Sequence, residues 1–210
     1  MTLKVDPYEF IGRHIFIEGI YEEAMTRLFQ TLIRRGGCVL DIGANIGYYS
    51  VLASRLVGAK VQVIAYEANP YIAERLRLNA IENSCENASI CKVAVSDYCG
   101  NVSFFVAGRE NKGLSSMRDL GGEAEQKIEI PCITIDSMLG RISKVCLVKI
   151  DVEGAELLVL KGMKELITRD RPSIIFEATE PFFRQMGYGL EDIEDFFIER
   201  VYSLYEIRGG

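Results

Sequence analysis

Three acidic residues within six positions, Asp151, Glu153 and Glu156 in VKIDVEGAE (148–156), form one of two groupings in this sequence able to do chemistry. Acidic groups clustered in this way suit general acid–base work, in which a positioned base lies within about 2.6–3.2 Å of the proton it takes. The single histidine, His14 in GRHIFIEG, lies far from this cluster in sequence and reads as structural or exposed. Carboxylates and lysines are therefore the candidate bases. Asp151 comes first and Glu153 second, with Lys149 placed to orient either. The same carboxylates also suit the first turn of a helix, where free N–H groups and the helix dipole favour them. Glu156 fits that structural role better than a catalytic one. Glu177, at the end of SIIFEA, would line the same edge. With Asp151 it makes two carboxylates, which do not by themselves establish a metal site.

The second grouping is VLDIGANIGYYS (39–50), a strand that runs into the glycine turn 43–47 and then into a helix. Glycine lets a ligand approach the backbone, and the helix start offers unpaired N–H groups. The dinucleotide pattern G-x-G-x-x-G would require glycine at 45 and 48, where the chain has Asn45 and Tyr48. A pyrophosphate is therefore disfavoured. Glu67 ends the second strand, where an acidic residue binds ribose hydroxyls. A glycine turn and a ribose carboxylate without diphosphate spacing fit a nucleoside that bears no phosphate. S-adenosylmethionine (SAM) is the commonest such cofactor, and Asp41 would then face its cationic amino-acid end. Asp97, in VAVSDYCG, is placed either to touch an adenine edge or simply to begin the turn at Tyr98–Gly100.

The elements that must position these residues alternate along the chain. Tyr21, Ala24, Met25, Leu28, Phe29, Leu32 and Ile33 mark one face of a helix from Tyr21 to Arg35, with Arg34 and Arg35 suiting its C-terminal dipole and Gly36-Gly37 as its stop. Strands are predicted at 38–42, 61–67, 89–95, 145–151 and 173–178. Helices are predicted over 46–57, from Pro70 towards Asn83, and from Ala155 to Ile167. Strands that are apolar on both faces and separated by helices indicate a parallel sheet covered on both sides. NVSFFVA and QKIEIPC interrupt the rhythm as a β-hairpin within 101–132. Their long connection, 108–125, reads equally as a lid or as a loose hairpin tip. LEDIEDFFIER reads as a helix and VYSLYEI as a final strand.

Composition excludes several classes. Of 210 residues, 49% are hydrophobic and 26% charged, which rules out collagenous and disordered chains. The net charge of −6 provides no global field for polyphosphate. No basic stripe with interleaved aromatics is evident, so no nucleic-acid partner is expected. The six cysteines contain no C-x-x-C pair and read as small buried hydrophobes with free thiols. No apolar run reaches a membrane span, and the start MTLKVDPYEF carries charge where a signal peptide would be apolar, so a cytoplasmic protein is expected.

In these segments the chain resembles the FkbM family of SAM-dependent methyltransferases. The matching pieces are GIYEE (19–23), VLDIGANIGYYS (39–50), AYEANP (65–70), LRLNAIEN (76–83), VAVSDYCGNVSF (93–104), ITIDSM (133–138), VKIDVEGAELLVLKG (148–162) and PSIIFEAT (172–179). The resemblance implies a seven-stranded Rossmann-like class I methyltransferase fold. It also implies O-methylation of a hydroxyl on a sugar, polyketide or similar small metabolite. Asp41, Gly43, Asn45 and Gly47 would form the SAM loop, Glu67 would hold the ribose and Asp97 would lie near adenine. Asp151 and Glu153 would face the methyl group, and Glu22 would sit near the cofactor mouth. The fold usually ends in an antiparallel strand pair, and after VYSLYEI little chain is left for the second strand. The expected organisation is one domain, with 1–37 as a helical segment packed on a methyltransferase core of 38–210. Alternatives from other classes are a non-catalytic SAM-binding module, a nicotinamide-dependent oxidoreductase and a nucleic-acid methyltransferase.

Overall fold

A computed structural model describes residues 1–33, 36–108 and 113–207, except for the side chain of Glu123. Five strands form a wholly parallel central sheet: β1 (Cys38–Ile42), β2 (Val63–Tyr66), β3 (Ala88–Cys91), β7 (Val145–Ile150) and β8 (Ser173–Phe176). Their spatial order is β3-β2-β1-β7-β8. The order reverses between β1 and β7, so the crevice beyond their carboxyl ends is the place for a ligand in this kind of sheet. β1 is buried along its whole length because helices cover both faces. One layer contains α3 (Tyr48–Val57) and α4 (Pro70–Glu82), and the other contains α5 (Glu156–Lys161), α6 (Lys164–Asp170), α7 (Glu180–Gln185) and α8 (Leu190–Ile198).

α4 begins as its sequence demands. Pro70 occupies the first turn, and the Asn69 side chain accepts from the N–H groups of Tyr71 and Ile72. Two N-terminal helices, α1 (Phe10–Glu18) and α2 (Glu23–Leu32), precede the sheet. Phe29 of α2 is fully buried, and Met25, Leu28 and Leu32 pack against the same cluster as Tyr48 and Tyr49. Arg34 and Arg35, the predicted basic end of the second helix, lie outside the described residues.

The sequence expectation of a mostly parallel sheet with an inserted hairpin holds, with four corrections of detail. First, 89–95 is not one strand. Glu67 N–H takes the Cys91 carbonyl as the β2 ladder ends, and beyond it Ala94–Val95 (β4) joins a second sheet. That sheet, ordered β4-β6-β5, contains the hairpin of β5 (Gly100–Ala107) and β6 (Ala124–Ile133), so the central sheet has five strands rather than seven. Second, the helix expected over 155–167 divides into α5 and α6. Asp136 causes the break: its carboxylate accepts from the N–H groups of Glu165 and Leu166 and so caps a new helix start. Third, VYSLYEI forms no strand. Val201 is left-handed (φ +57), Arg171 holds the Arg200 and Val201 carbonyls, and Tyr205 is 88% exposed with nothing to pair against. Fourth, α7 forms where no helix was expected, and the helical segment expected over 1–37 holds two helices, α1 preceding the one read from Tyr21 onward. Cys99 is the exposed exception among the six free cysteines. Among the described residues, no helix is long and apolar enough to cross a membrane.

Candidate active site

A cavity of about 460 Å³ opens at the β1/β7 reversal and is lined from both ends of the predicted site. Gly43, Asn45 and Glu67 form one end, Asp151, Glu153 and Glu177 the other, and Glu22 is a further lining residue. The backbone fixes this arrangement. Asp151 N–H continues the ladder onto the Ile42 carbonyl, and Glu177 N–H onto that of Ile150. The first residues beyond three adjacent strands are thus brought side by side.

At the first end, Gly43 and Ala44 N–H both donate to the Tyr66 carbonyl, at 2.9 and 3.0 Å. Gly43 has φ +79, and a Cβ there would lie 1.7 Å from the Asp151 carbonyl oxygen, so no side chain fits between the two turns. Glu67 is 8% exposed, and its carboxylate oxygens accept from Asn45 N–H and Asn69 N–H, both at 2.8 Å. Each oxygen keeps a lone pair for a ligand in the cavity. Burial pushes the Glu67 carboxyl up to about 7, against the pull of those two N–H groups.

The other end is a concentration of acid. One oxygen from each of Asp151, Glu153 and Glu177 lies within 4.8 Å of the others. Burial and the neighbouring Asp151, Glu177 and Glu156 charges push Glu153 up to about 8. Crowding by protein atoms and the Asp151 carboxylate push Glu177 to about 8 as well. Glu177 is exposed, which weakens both causes, and the upward direction rests on the Asp151 carboxylate within 4.8 Å. Lys149, 5% exposed, donates to Asp151 Oδ2 at 3.0 Å and lies 5.1 Å from the centre of the Tyr49 ring. Burial alone would lower the pKa of this ammonium, but the Asp151 and Asp41 carboxylates outweigh it and hold the pKa above the usual lysine value. No metal is assigned to the acidic cluster.

Three lining residues other than glycine adopt left-handed backbone: Glu22 (φ +44), Asn45 (φ +49) and Glu153 (φ +57). Each such residue costs roughly 1–2 kcal/mol, a strain that tends to concentrate at functional sites. Bonds hold each in place: Tyr49 Oη donates to Glu22 Oε2 at 3.0 Å, Glu67 accepts Asn45 N–H, and Ser116 Oγ donates to the Glu153 carbonyl at 2.8 Å.

Other candidates lie elsewhere. Asp41 does not face the cavity. It is fully buried behind β1, where Oδ2 accepts from Ser50 Oγ and Oδ1 has no hydrogen-bond partner, and burial raises its pKa. An acid inside a strand points to a face of the sheet, not beyond its end. Gly47 begins α3 and lies against Leu76, outside the lining. Asp97 is exposed and accepts from Ser96 Oγ at 3.3 Å, and it lies two residues beyond Val95, where this stretch of chain leaves the cavity lining. His14 is paired with Glu18 at 3.5 Å on the outer side of α1. Glu156 closes its own loop, its Oε1 accepting from Val152 N–H and its Oε2 from Gly154 N–H. Glu9, just before α1, and Phe10 and Ile11 within it line the cavity unsignalled, as do Gly113–Ser115 and Met117 of the long connection, which reads in sequence as a lid or a loose tip with none of its residues singled out. They belong to no periodic pattern.

The raised carboxyls make stability depend on pH. Glu67 and Glu156 are buried and both titrate near 7, above the ordinary glutamate value of 4.5. The native state therefore binds more protons than the unfolded chain between those values. The stability contributed is fully present below 4.5 and lost as pH rises through about 7. Urea unfolding of the ligand-free protein should show stability lower at pH 8 than at pH 5 by about 2–4 kcal/mol, and Glu156→Gln should reduce the slope. A midpoint that rises over that interval would show that these groups are ionised in the fold.

Residues 41–204 match the Methyltransferase FkbM domain family. The chain is 29% identical over 144 residues to the hexuronic acid methyltransferase AglP of Haloferax volcanii, a match covering 68% of this chain and 56% of AglP. It therefore spans about half the length of that relative. It is 26% identical over 186 residues to the 31-O-demethyl-FK506 methyltransferase FkbM of Streptomyces tacrolimicus, covering 75% of this chain and 69% of that one. A Streptococcus mutans protein solved in complex with SAH superposes with a TM-score of 0.50 at 8% identity, over 90% of this chain and 93% of that chain, which shows the fold alone. With the family match extending over more than half of its length, the chain belongs to the FkbM methyltransferase family.

Proposed function

We propose that this chain is a SAM-dependent O-methyltransferase acting on a hydroxyl of a sugar or other small metabolite. The observation that carries this reading is the single cavity joining Glu67 to the Asp151/Glu153/Glu177 cluster. The family uses SAM, and the lining suits that cofactor. Six lining residues carry carboxyl groups and none of the described ones is a cation, a setting that accepts a sulfonium and offers no charge partner to a dinucleotide's diphosphate. Glu67 is placed for the ribose hydroxyls, Gly43 and Asn45 provide the adjoining backbone, and Ala68, Ile72, Val93 and Val95 offer apolar walls. Asp97 and Gly47 have no place in this assignment. The names of the two relatives point to a hexuronic acid and a demethyl-FK506, and a hydroxyl acceptor of that general kind is the class proposed here.

When bound, SAM supplies an electrophilic methyl group. The chain's own part is to orient the acceptor and take its proton. Lys149 fixes Asp151 through Oδ2, leaving Oδ1 free of that bond to orient the hydroxyl. Glu153, held near 8, is the carboxylate with an affinity matched to receiving a proton near neutral pH. Leu114 and Met117 add apolar side chains to the lining of the same cavity.

Calorimetric titration with SAM, S-adenosylhomocysteine and NAD tests the cofactor half. Micromolar binding of both adenosyl compounds and none of NAD is expected. Binding of NAD alone would sink the proposal. Binding without turnover of any hydroxyl acceptor would favour a non-catalytic module instead.

A further inference from the structure

The segment after Gly113 is tied down at several points. Ser116 exchanges both backbone hydrogen bonds with Phe105, at 2.8 and 3.0 Å, and so returns along β5. Ser115 Oγ accepts from Ala107 N–H at 3.0 Å and from Asn69 Nδ2 at 3.3 Å. Arg118, only 7% exposed, stacks its guanidinium 4.0 Å over the centre of the Phe182 ring. Its Nη1 donates to Gln185 Oε1 of α7 at 2.6 Å, and its Nε to the Glu153 carbonyl at 3.4 Å. Arg118 N–H meanwhile donates to Ser116 Oγ, which itself donates to that same carbonyl.

We propose that Arg118 is a positioning residue: by tying 113–118 to α7 and to the Glu153 carbonyl, it keeps that segment on the cavity lining and holds Glu153 in its left-handed turn with its carboxyl lining the cavity. This rests on the reading of Glu153 as part of the acceptor end. Arg118 is not itself among the cavity-lining residues, so it acts through its neighbours. The guanidinium fork suits the task, because it reaches a carbonyl and an amide oxygen at once while stacking on a ring.

The groups that face Glu153 are Asp151 after β7, Glu177 after β8, Glu156 of α5 and Arg118 itself. Their effects separate a latch from a neighbouring charge. As a charge alone, Arg118 lowers the Glu153 pKa, so its removal would raise the midpoint above its value of about 8. As a latch, its removal admits water, the burial that dominates the shift is lost, and the midpoint falls below about 7.

The experiment is carbon-13 NMR titration of glutamate carboxyls, assigned with Glu153→Gln, in the wild type and in Arg118→Ala. Amide exchange over 113–118 is followed alongside. A falling Glu153 midpoint and at least about tenfold faster exchange are expected. Arg118→Lys, which keeps the cation over Phe182 but loses the fork, should restore part of the protection. A midpoint that rises or stays put overturns the proposal. Gln185→Ala removes only an exposed anchor and should move both readouts the same way by less, which keeps the question open to test if Arg118→Ala does not fold. S-adenosylhomocysteine titration of the wild type separates the two readings. Failure to bind would count against the cofactor assignment, while the Glu153 midpoint still decides the latch.

Discussion

Glu67→Ala should lose at least about 100-fold in affinity for S-adenosylhomocysteine and about 2–4 kcal/mol of stability at once. From sequence alone the same variant would be expected to weaken binding with the fold untouched, since an acid at a strand end appears free to serve a ligand. The structure gives that carboxylate a second task. Its two oxygens are the acceptors for Asn45 N–H and Asn69 N–H, one at the glycine turn and the other at the start of α4. Alanine leaves both donors without an acceptor, and each orphaned buried donor costs roughly 1–3 kcal/mol. Asn45 is left-handed as well, so losing its N–H partner frees the turn to relax away from the position that admits a ligand. Glu67→Gln separates the two tasks in part: it keeps one acceptor oxygen and sets an amide NH₂ against the other N–H, so it should be less destabilised than alanine yet still bind weakly. Urea midpoints and calorimetry on the two variants check this. Unchanged affinity in a folded Glu67→Ala would remove Glu67 from the site.

What was legible in the sequence is what strand ends dictate. Gly43, Glu67, Asp151 and Glu177 each follow directly on a parallel strand, so reading the strands correctly was enough to bring them to one edge. Asp41 fell to a question of side. It lies within β1, where side chains point to the faces of the sheet, and it ends up under α3 against Ser50. Asp97 was lost because nothing in SICKVAV shows that the chain leaves the central sheet after Cys91, where β2 ends, or that Val95 is the last residue of this stretch to line the cavity. The failed final strand is the same error in reverse, a period-two pattern with no neighbour to pair against. Arg118 and the α1 residues at the cavity rim were invisible because their roles are set by tertiary contacts across 35 to 67 positions, which no local pattern encodes.

Asp151→Asn should abolish methyl transfer, but it will not be a silent change in the fold. Lys149 is almost wholly buried and its nearest anion is Asp151 Oδ2 at 3.0 Å. Removing one partner of such a pair leaves an uncompensated charge, a loss of about 2–3 kcal/mol for a pair whose acidic member still reaches the cavity. Asp41, on the paired position of β1, and Glu22 are further acids near Lys149, and they limit the loss. The double variant Lys149→Met/Asp151→Asn therefore distinguishes structure from chemistry. Taking away the stranded cation should recover most of the stability lost by Asp151→Asn, while transfer stays absent because the acceptor end still lacks its carboxylate. Glu153→Gln provides the contrast. Among the described residues its carboxyl is in no ion pair, and it is pushed up to about 8, so the amide should cost little stability near neutral pH and still suppress transfer. Urea midpoints at pH 7 and methyl transfer to the acceptor, once one is found, decide the assignment. If Asp151→Asn transfers at the wild-type rate while Glu153→Gln does not, Asp151 holds Lys149 and no more, and the proton goes to Glu153.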